Sequence, residues 1–322
     1  MRTAIFCFMG QRHTVFYILR IDVFRTIRYN NFNIVCIWIW FKGGSVMECK
    51  RVWAVYFSAT DTTKKIVTVL AKEAARTMRA QYHEFDFTLP DARKELLVFE
   101  PEDLVVFGTP VYAGRVPNVL LGFLRDYIKG NHALAVPVTV YGNRNYDDAL
   151  MELRDLLEQS CFYTIAAGAF VGEHAFSRTL GKDRPDHRDV SLAREFAFGL
   201  CQRLKMYEKE EFVHPVYVKG TPAPYRGYYQ PRDRKGTFID IRKVKPLTSG
   251  DCDGCGICAE VCPMGSINRE DVGTVNGICI KCGACIKKCP KQARYYEDEG
   301  YLYHKTELEE QYTERAEPEI FF

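Results

Sequence analysis

Eight of the thirteen cysteines in this 322-residue chain fall into two copies of one spacing, C-x-x-C-x-x-C-x-x-x-C-P. The first copy is Cys252, Cys255, Cys258 and Cys262, followed by Pro263. The second is Cys279, Cys282, Cys285 and Cys289, followed by Pro290. A cubane iron–sulfur cluster needs four thiolates around one centre, and a tight loop of this spacing supplies three. Where two such loops share a chain, the fourth thiolate comes from the other loop. The spacing therefore predicts cluster A on Cys252, Cys255, Cys258 and Cys289, and cluster B on Cys279, Cys282, Cys285 and Cys262. Zinc knuckles built from C-x-x-C pairs would leave the third cysteine of each copy without a role. A disulfide framework fits poorly with a long chain whose other cysteines (Cys7, Cys36, Cys49, Cys161 and Cys201) are scattered. Two [4Fe–4S] clusters in a reducing cytoplasm are expected, and with them the carriage of electrons.

The formal charge of +3 is small, and no basic patch recurs at a groove-reading spacing, so no nucleic-acid partner is expected. The length allows two domains with their own cores. The cysteine-rich segment is too short to need such a core, because clusters would hold it together.

The first 46 residues are aromatic, basic and nearly free of acids. Their longest apolar run, residues 34–41, is too short to span a bilayer, and the order of regions is not that of a signal peptide. Lys42-Gly43-Gly44 can be encoded by a purine-rich stretch like a ribosome-binding site just ahead of Met47. The reading is a leader or disordered extension over 1–46, with the true start at Met47. No membrane association is expected.

From Val52 the pattern becomes regular. Strands are predicted over Val52–Phe57, Tyr82–Phe87, Leu104–Phe107, Ala133–Tyr141 and Tyr163–Val171. Helices are predicted after Thr63, near 117–127, over 147–159 and over 190–206. Alternating strands and helices imply a doubly wound, parallel five-stranded α/β sheet over 47–208, with its ligand beyond the carboxyl ends of the strands. The loop Ser58-Ala59-Thr60-Asp61-Thr62-Thr63 offers hydroxyl and backbone donors to an anion; on its own it is equally an ordinary helix cap. Neither a Walker pattern nor G-x-G-x-x-G stands at a strand end. Residues 209–245, rich in Pro and Tyr, read as a linker. Residues 246–296 hold the cluster motifs, and 297–322 form an acidic tail.

From Met47 to about Arg294 the chain resembles the flavodoxin–ferredoxin fusion proteins of anaerobic bacteria. FSATDTTKK is similar to the flavodoxin phosphate loop, GTPVYAGRVPN and VYGNRNYDDAL to the two flavin-ring loops, and GEHAFS to the loop after the fifth strand. The resemblance implies a flavodoxin-like domain followed by a small α+β bacterial ferredoxin-like domain, and it implies FMN. Ser58, Thr60, Thr62 and Thr63 would take the phosphate. Thr109, Tyr112 and Gly114, with Gly142, Asn143, Arg144 and Tyr146, would approach the ring. The chain departs from the family at Asp61, where flavodoxins usually carry glycine: Asp tolerates an unusual backbone angle, but its charge opposes a phosphate.

Single residues have plainer readings. Tyr112 packs under its loop, Arg144 is a solvated charge, His174 is a structural hydrogen-bonder, and Cys161 and Cys201 are core residues. The expected function is an electron relay between clusters, flavin and an unidentified redox partner protein. A ferredoxin-fed flavin reductase and a flavin-free docking module are the alternatives. An electron carrier is expected over a substrate-specific enzyme, because no acid–base constellation stands beside the flavin loops.

Overall fold

The computed structural model describes residues 3–10, 13–20, 26–29, 32–35, 49–207 and 214–322. The chain divides into two compact units, Met1–Met47 and Glu48–Phe322. In the first, Thr3–Gly10 pairs antiparallel with His13–Arg20, and Thr26–Tyr29 with Phe32–Val35. The expected leader covers this unit, and much of it lies outside the described residues.

The second unit is built on β1 (Arg51–Tyr56), β2 (Gln81–Asp86), β3 (Asp103–Pro110), β4 (Leu134–Tyr141) and β5 (Ala167–Val171). The spatial order is β5-β4-β3-β1-β2, all parallel. It is the doubly wound order whose switch point lies between the first and third strands. Every residue of β4 is buried, as a strand covered on both faces must be.

Period-two alternation divides the apolar side chains between the two faces. Val52, Ala54 and Tyr56 of β1 meet Ile66, Leu70 and Ala74 of α1 (Thr62–Met78) and Phe196 and Leu200 of α4 (His187–Tyr207). On the other face Val55, Val105 and Phe107 meet Phe123 of α2 (Leu121–Asp126) and Leu153, Leu156 and Leu157 of α3 (Ala149–Gln159).

Two differences from the sequence reading have clear causes. The fifth strand is not continuous from Tyr163: Tyr163–Thr164 pairs with the start of β4, the chain breaks, and Ala167–Val171 resumes along its end. Beyond the predicted sheet, β6 (Glu319–Phe321) adds an antiparallel strand outside β5, with Ala169 opposite Glu319 and Ala167 opposite Phe321. Three residues give too short an alternation to read as a strand.

The route back to that edge is fixed by polar contacts. Arg184 and Asp189 form a buried two-pronged pair (Nε–Oδ2 2.5 Å, Nη2–Oδ1 2.6 Å), and Arg184 Nη1 donates to Ala316 O at 3.1 Å. Arg184→Ala would remove the bidentate partner of the buried Asp189 carboxylate, leaving it Asp186 N at 2.8 Å and Arg315 at 3.6 Å, and should destabilise the fold by about 3–5 kcal/mol. Chemical denaturation read by far-UV circular dichroism checks this; a loss below about 1 kcal/mol would contradict it.

The segment between the sheet and the cluster motifs lies along the α3 side. Tyr225 OH donates to Asp155 at 2.8 Å, Tyr228 OH to Val116 O at 3.0 Å, and Tyr229 N to Ala113 O at 2.8 Å. Tyr225, Tyr228 and Tyr229 thus hold this strap against the sheet domain. Among the described residues no helix is long and apolar enough to cross a membrane.

Candidate redox centre

The cysteine-rich part folds as two similar halves. Gly256 (φ 80°) leads into the turn Ile257–Glu260, and Gly283 (φ 75°) into α-turn Ala284–Lys287. Leu247–Thr248 pairs antiparallel with Arg294–Tyr295 and ties the ends together. Short C-x-x-C-x-x-C loops ending in a helical turn present their sulfurs inward, and little apolar packing is available: Cys258, Ile267, Val272 and Cys285 form the small buried group.

Cys252, Cys255, Cys258 and Cys289 line one cavity. Cys262, Cys279, Cys282 and Cys285 line another. Each cavity thus takes three cysteines from one motif and one from the other. Among the described residues no three His, Cys, Asp or Glu side chains gather as a single metal ion would require. A cubane spreads its four thiolates around a larger cage, which suits a ring of cysteines about a cavity.

Burial pushes the Cys285 thiol up to about 12 and the Cys282 thiol higher still, so the thiolate form there needs a cation to stabilise it. Backbone and hydroxyl groups already point at sulfur: Ser266 N donates to Cys262 Sγ at 3.4 Å, Ala293 N to Cys289 Sγ at 3.3 Å, and Tyr296 OH lies 3.6 Å from Cys279 Sγ. The donor set and its geometry fit cubane clusters.

The flavin-type loops stand together at the carboxyl ends of β1, β3, β4 and β5. Ser58 Oγ accepts from Lys64 N at 3.0 Å, so it caps the first turn of α1. Thr63 and Thr109 are buried, and their hydroxyls have no hydrogen-bond partner. Two such hydroxyls, at the start of α1 and near the end of β3, are what a bound polar ligand would satisfy. Asp61 takes the left-handed backbone (φ 65°) that the loop demands, as a glycine would. Its carboxylate is met by Lys288 Nζ at 2.9 Å, from the cysteine-rich part.

The remaining ring residues divide. Burial raises the pKa of the Tyr112 hydroxyl, and the Cys282 and Cys279 thiols add to the effect. Gly114 takes φ 77° against Asp147, and Gly142 lets the backbone approach His174 so closely that a Cβ would come within 2.3 Å of its ring. Three expectations about side chains need correcting. The Asn143 amide is spent on the tail, donating to Tyr312 O and Glu314 O (both 2.8 Å) and accepting from Ala316 N (3.0 Å). Arg144 is no free loop charge: it pairs with Asp147 and lies 4.7 Å over the Tyr229 ring. Tyr146 is buried with Tyr141, Leu150 and Val218 in a separate apolar group. In that loop the backbone, not these side chains, is left to face a ligand.

The cysteine-rich part docks directly on this edge. Val261, Ile280 and Cys282 pack against the apolar group holding Phe57 and Phe87. Arg93 Nη2 donates to Pro263 O at 2.6 Å, and Arg178 Nη2 to Ile286 O at 3.2 Å. Lys287 Nζ meets Glu173 Oε1 at 2.5 Å and His174 O at 2.7 Å. Gly283 passes so near Ala175 that a Cβ would stand 2.5 Å from its carbonyl oxygen. Lys287, Lys288, Arg93 and Arg178 carry no sequence signal of this role, because each acts across a long separation in the chain.

This sheet order, with a paired C-x-x-C-x-x-C-x-x-x-C-P segment docked at its ligand-binding edge, defines a flavodoxin–ferredoxin fusion. A family profile for the 4Fe-4S dicluster domain matches residues 251–294. Two curated relatives share sequence with the chain. Protein NrdI of Enterobacter sp. (strain 638) is 41% identical over 71 residues, 21% of this chain and 51% of the relative. Protein NrdI of Shigella dysenteriae serotype 1 (strain Sd197) is 32% identical over 111 residues, 33% of this chain and 71% of the relative. The chain belongs to the NrdI family through this shared region, and it spans about half the length of the Enterobacter relative.

Among solved structures, a flavodoxin from the domain Archaea is similar with a TM-score of 0.36 and 10% identity, over 48% of this chain and 99% of that one. Rubredoxin oxygen:oxidoreductase from the anaerobe Desulfovibrio gigas has a TM-score of 0.36 and 18% identity, over 51% and 39%. The match to the 4Fe-4S dicluster profile over residues 251–294 supports an electron-transfer role.

Proposed function

We propose that this protein relays electrons between two [4Fe–4S] clusters, an FMN at the sheet edge and a separate redox partner protein. Cys252, Cys255, Cys258 and Cys289 would hold one cluster, and Cys279, Cys282, Cys285 and Cys262 the other. The observation that carries the reading is the docking of the second cysteine loop on the flavin-type edge: Cys282 packs against the apolar group that holds Phe57, and Lys288 Nζ reaches Asp61 at 2.9 Å. A flavin exchanges one or two electrons and clusters exchange one, so adjacent sites would let a one-electron carrier serve a two-electron one.

The chain's residues would do the positioning. Ser58, Thr60, Thr62 and Thr63, with the backbone at the start of α1, would hold the phosphate. Thr109, Tyr112, Gly114 and Gly142, with the backbone of Asn143, Arg144 and Tyr146, would border the ring. Lys288 offsets the Asp61 charge, so the cysteine-rich half would itself complete the phosphate site. Its docking over the loops would keep water from the space between the two halves.

Anaerobic purification, iron analysis and acid extraction test this. Expected are about eight irons per chain and free FMN in the supernatant. Lys288→Ala should weaken FMN binding roughly tenfold, as loss of one partly buried charge contact would, and Asp61→Gly added to it should restore affinity. Fluorescence titration of the flavin reads both; equal affinity in the wild type and Lys288→Ala would refute the lysine's part. A flavin-free docking surface is the second reading, favoured by the occupied side chains of Asn143, Arg144 and Tyr146. It holds if extraction releases no flavin while the iron content is full.

A further inference from the structure

Arg294, four residues after Pro290, is 2% exposed. Its Nη1 donates to Val272 O at 2.5 Å and to Thr248 Oγ1. Its Nε and Nη2 are buried with no hydrogen-bond partner. Among the described residues no carboxylate forms an ion pair with it. An arginine stays charged in proteins, and a buried, unpaired charge costs several kcal/mol. A fold that keeps one this deep must supply a negative charge beside it.

Among the described residues, the candidates for that charge are the cysteine cavities. Arg294 lines the cavity of Cys252, Cys255, Cys258 and Cys289. Val272, whose carbonyl accepts one arm of the fork, packs in the small buried group that holds Cys258 of that cavity and Cys285 of the other. The guanidinium therefore sits against the group in which one thiol of each quartet is packed. Its backbone sits in the short ladder with Leu247–Thr248, and Val272 and Thr248 fix one arm of the fork. The other two nitrogens are left for sulfur. A cubane with four thiolates carries a net negative charge that grows on reduction, and charge and hydrogen bonds near the sulfurs set its potential.

We infer that Arg294 is a shared counter-ion for both clusters, a positioning residue whose charge raises the two reduction potentials together. The inference rests on the cluster reading above. A buried cation stabilises the more negative, reduced state of each cluster, and a single cation between the two links their potentials.

The test is an EPR-monitored redox titration of anaerobically purified full-length protein with iron counted per chain. Arg294→Met removes the charge and keeps much of the apolar bulk; Arg294→Lys keeps the charge and loses the fork. With iron at the wild-type level, Arg294→Met should shift both midpoint potentials to more negative values, and Arg294→Lys should shift them less. Unchanged potentials at full iron, or a shift in one cluster alone, would overturn the inference. If Arg294→Met loses iron, full iron in Arg294→Lys supports the need for charge, and equal loss in both variants assigns the residue a packing role instead. Wild-type protein lacking iron after anaerobic handling would refute the cluster reading itself, which separates the two failures.

Discussion

Cys262→Ser should empty the cavity of the second motif while sparing that of the first. Cys262 follows Cys258 by four residues, yet it lines the cavity with Cys279, Cys282 and Cys285. The partner of Cys252, Cys255 and Cys258 is Cys289, which follows the other loop. The turn Ile257–Glu260 aims Cys258 into one cavity, and the chain then leaves through Pro263 in the direction of the other. Iron per chain should fall from about eight to about four, and the surviving EPR signal should be that of the Cys252, Cys255, Cys258 and Cys289 site. Cys289→Ser should give the complementary loss. Were Cys262→Ser to remove the first-motif cluster and leave the second, the ligands would not cross between loops.

The second large effect is on stability below neutral pH. His174 and His304 lie in an aromatic seam where the flavin-type loop after β5 meets α5 (Glu299–Gln311). Phe176 has its ring centroid 5.2 Å from His174, 6.1 Å from His304 and 4.7 Å from Tyr301. Burial, with Lys287, His304 and Arg144 adding, pushes His174 down to about 3. Burial, then Arg144, pushes His304 down to about 4 against the pull of Glu307. In the unfolded chain both titrate near 6.5. Below that pH the unfolded state takes up protons that the folded state refuses, so folding stability falls as pH drops from about 6.5 toward 4. Two such groups imply a loss of roughly 4 kcal/mol between pH 7 and pH 5. Urea unfolding under anaerobic conditions at the two pH values reads it. His174→Gln with His304→Gln should flatten the dependence, and equal wild-type midpoints at pH 7 and pH 5 would contradict the argument.

The sheet was legible because its strands obey simple rules. Residues 52–57 and 104–107 are continuous apolar runs, and 133–141 is broken only by Thr139; covered parallel strands read that way. The cysteine motifs were legible because ligand spacing is a local property. What the sequence hid was every contact made at long range. Asn143 sits in a loop that resembles a flavin-binding one, and only the fold shows its amide occupied by carbonyls about 170 residues later. Tyr146 reads as a ring neighbour until Val218, from the strap, closes over it. Asp61 reads as a defect in a phosphate loop until Lys288 arrives beside it. Arg294 carries no motif at all, and its significance is a matter of which groups surround it.

The strand at 319–321 has a consequence for how this molecule is made. It completes the edge of a sheet begun near residue 51, and the cysteine-rich segment lies between the two. The iron-binding part is therefore threaded into its neighbour's architecture and not hung from its end. On the ribosome, β5 waits with an open edge until the whole cysteine segment has emerged. Cutting the gene after the sheet's last helix should yield a fragment that sticks to itself along that edge, so the two halves are poor candidates for separate expression.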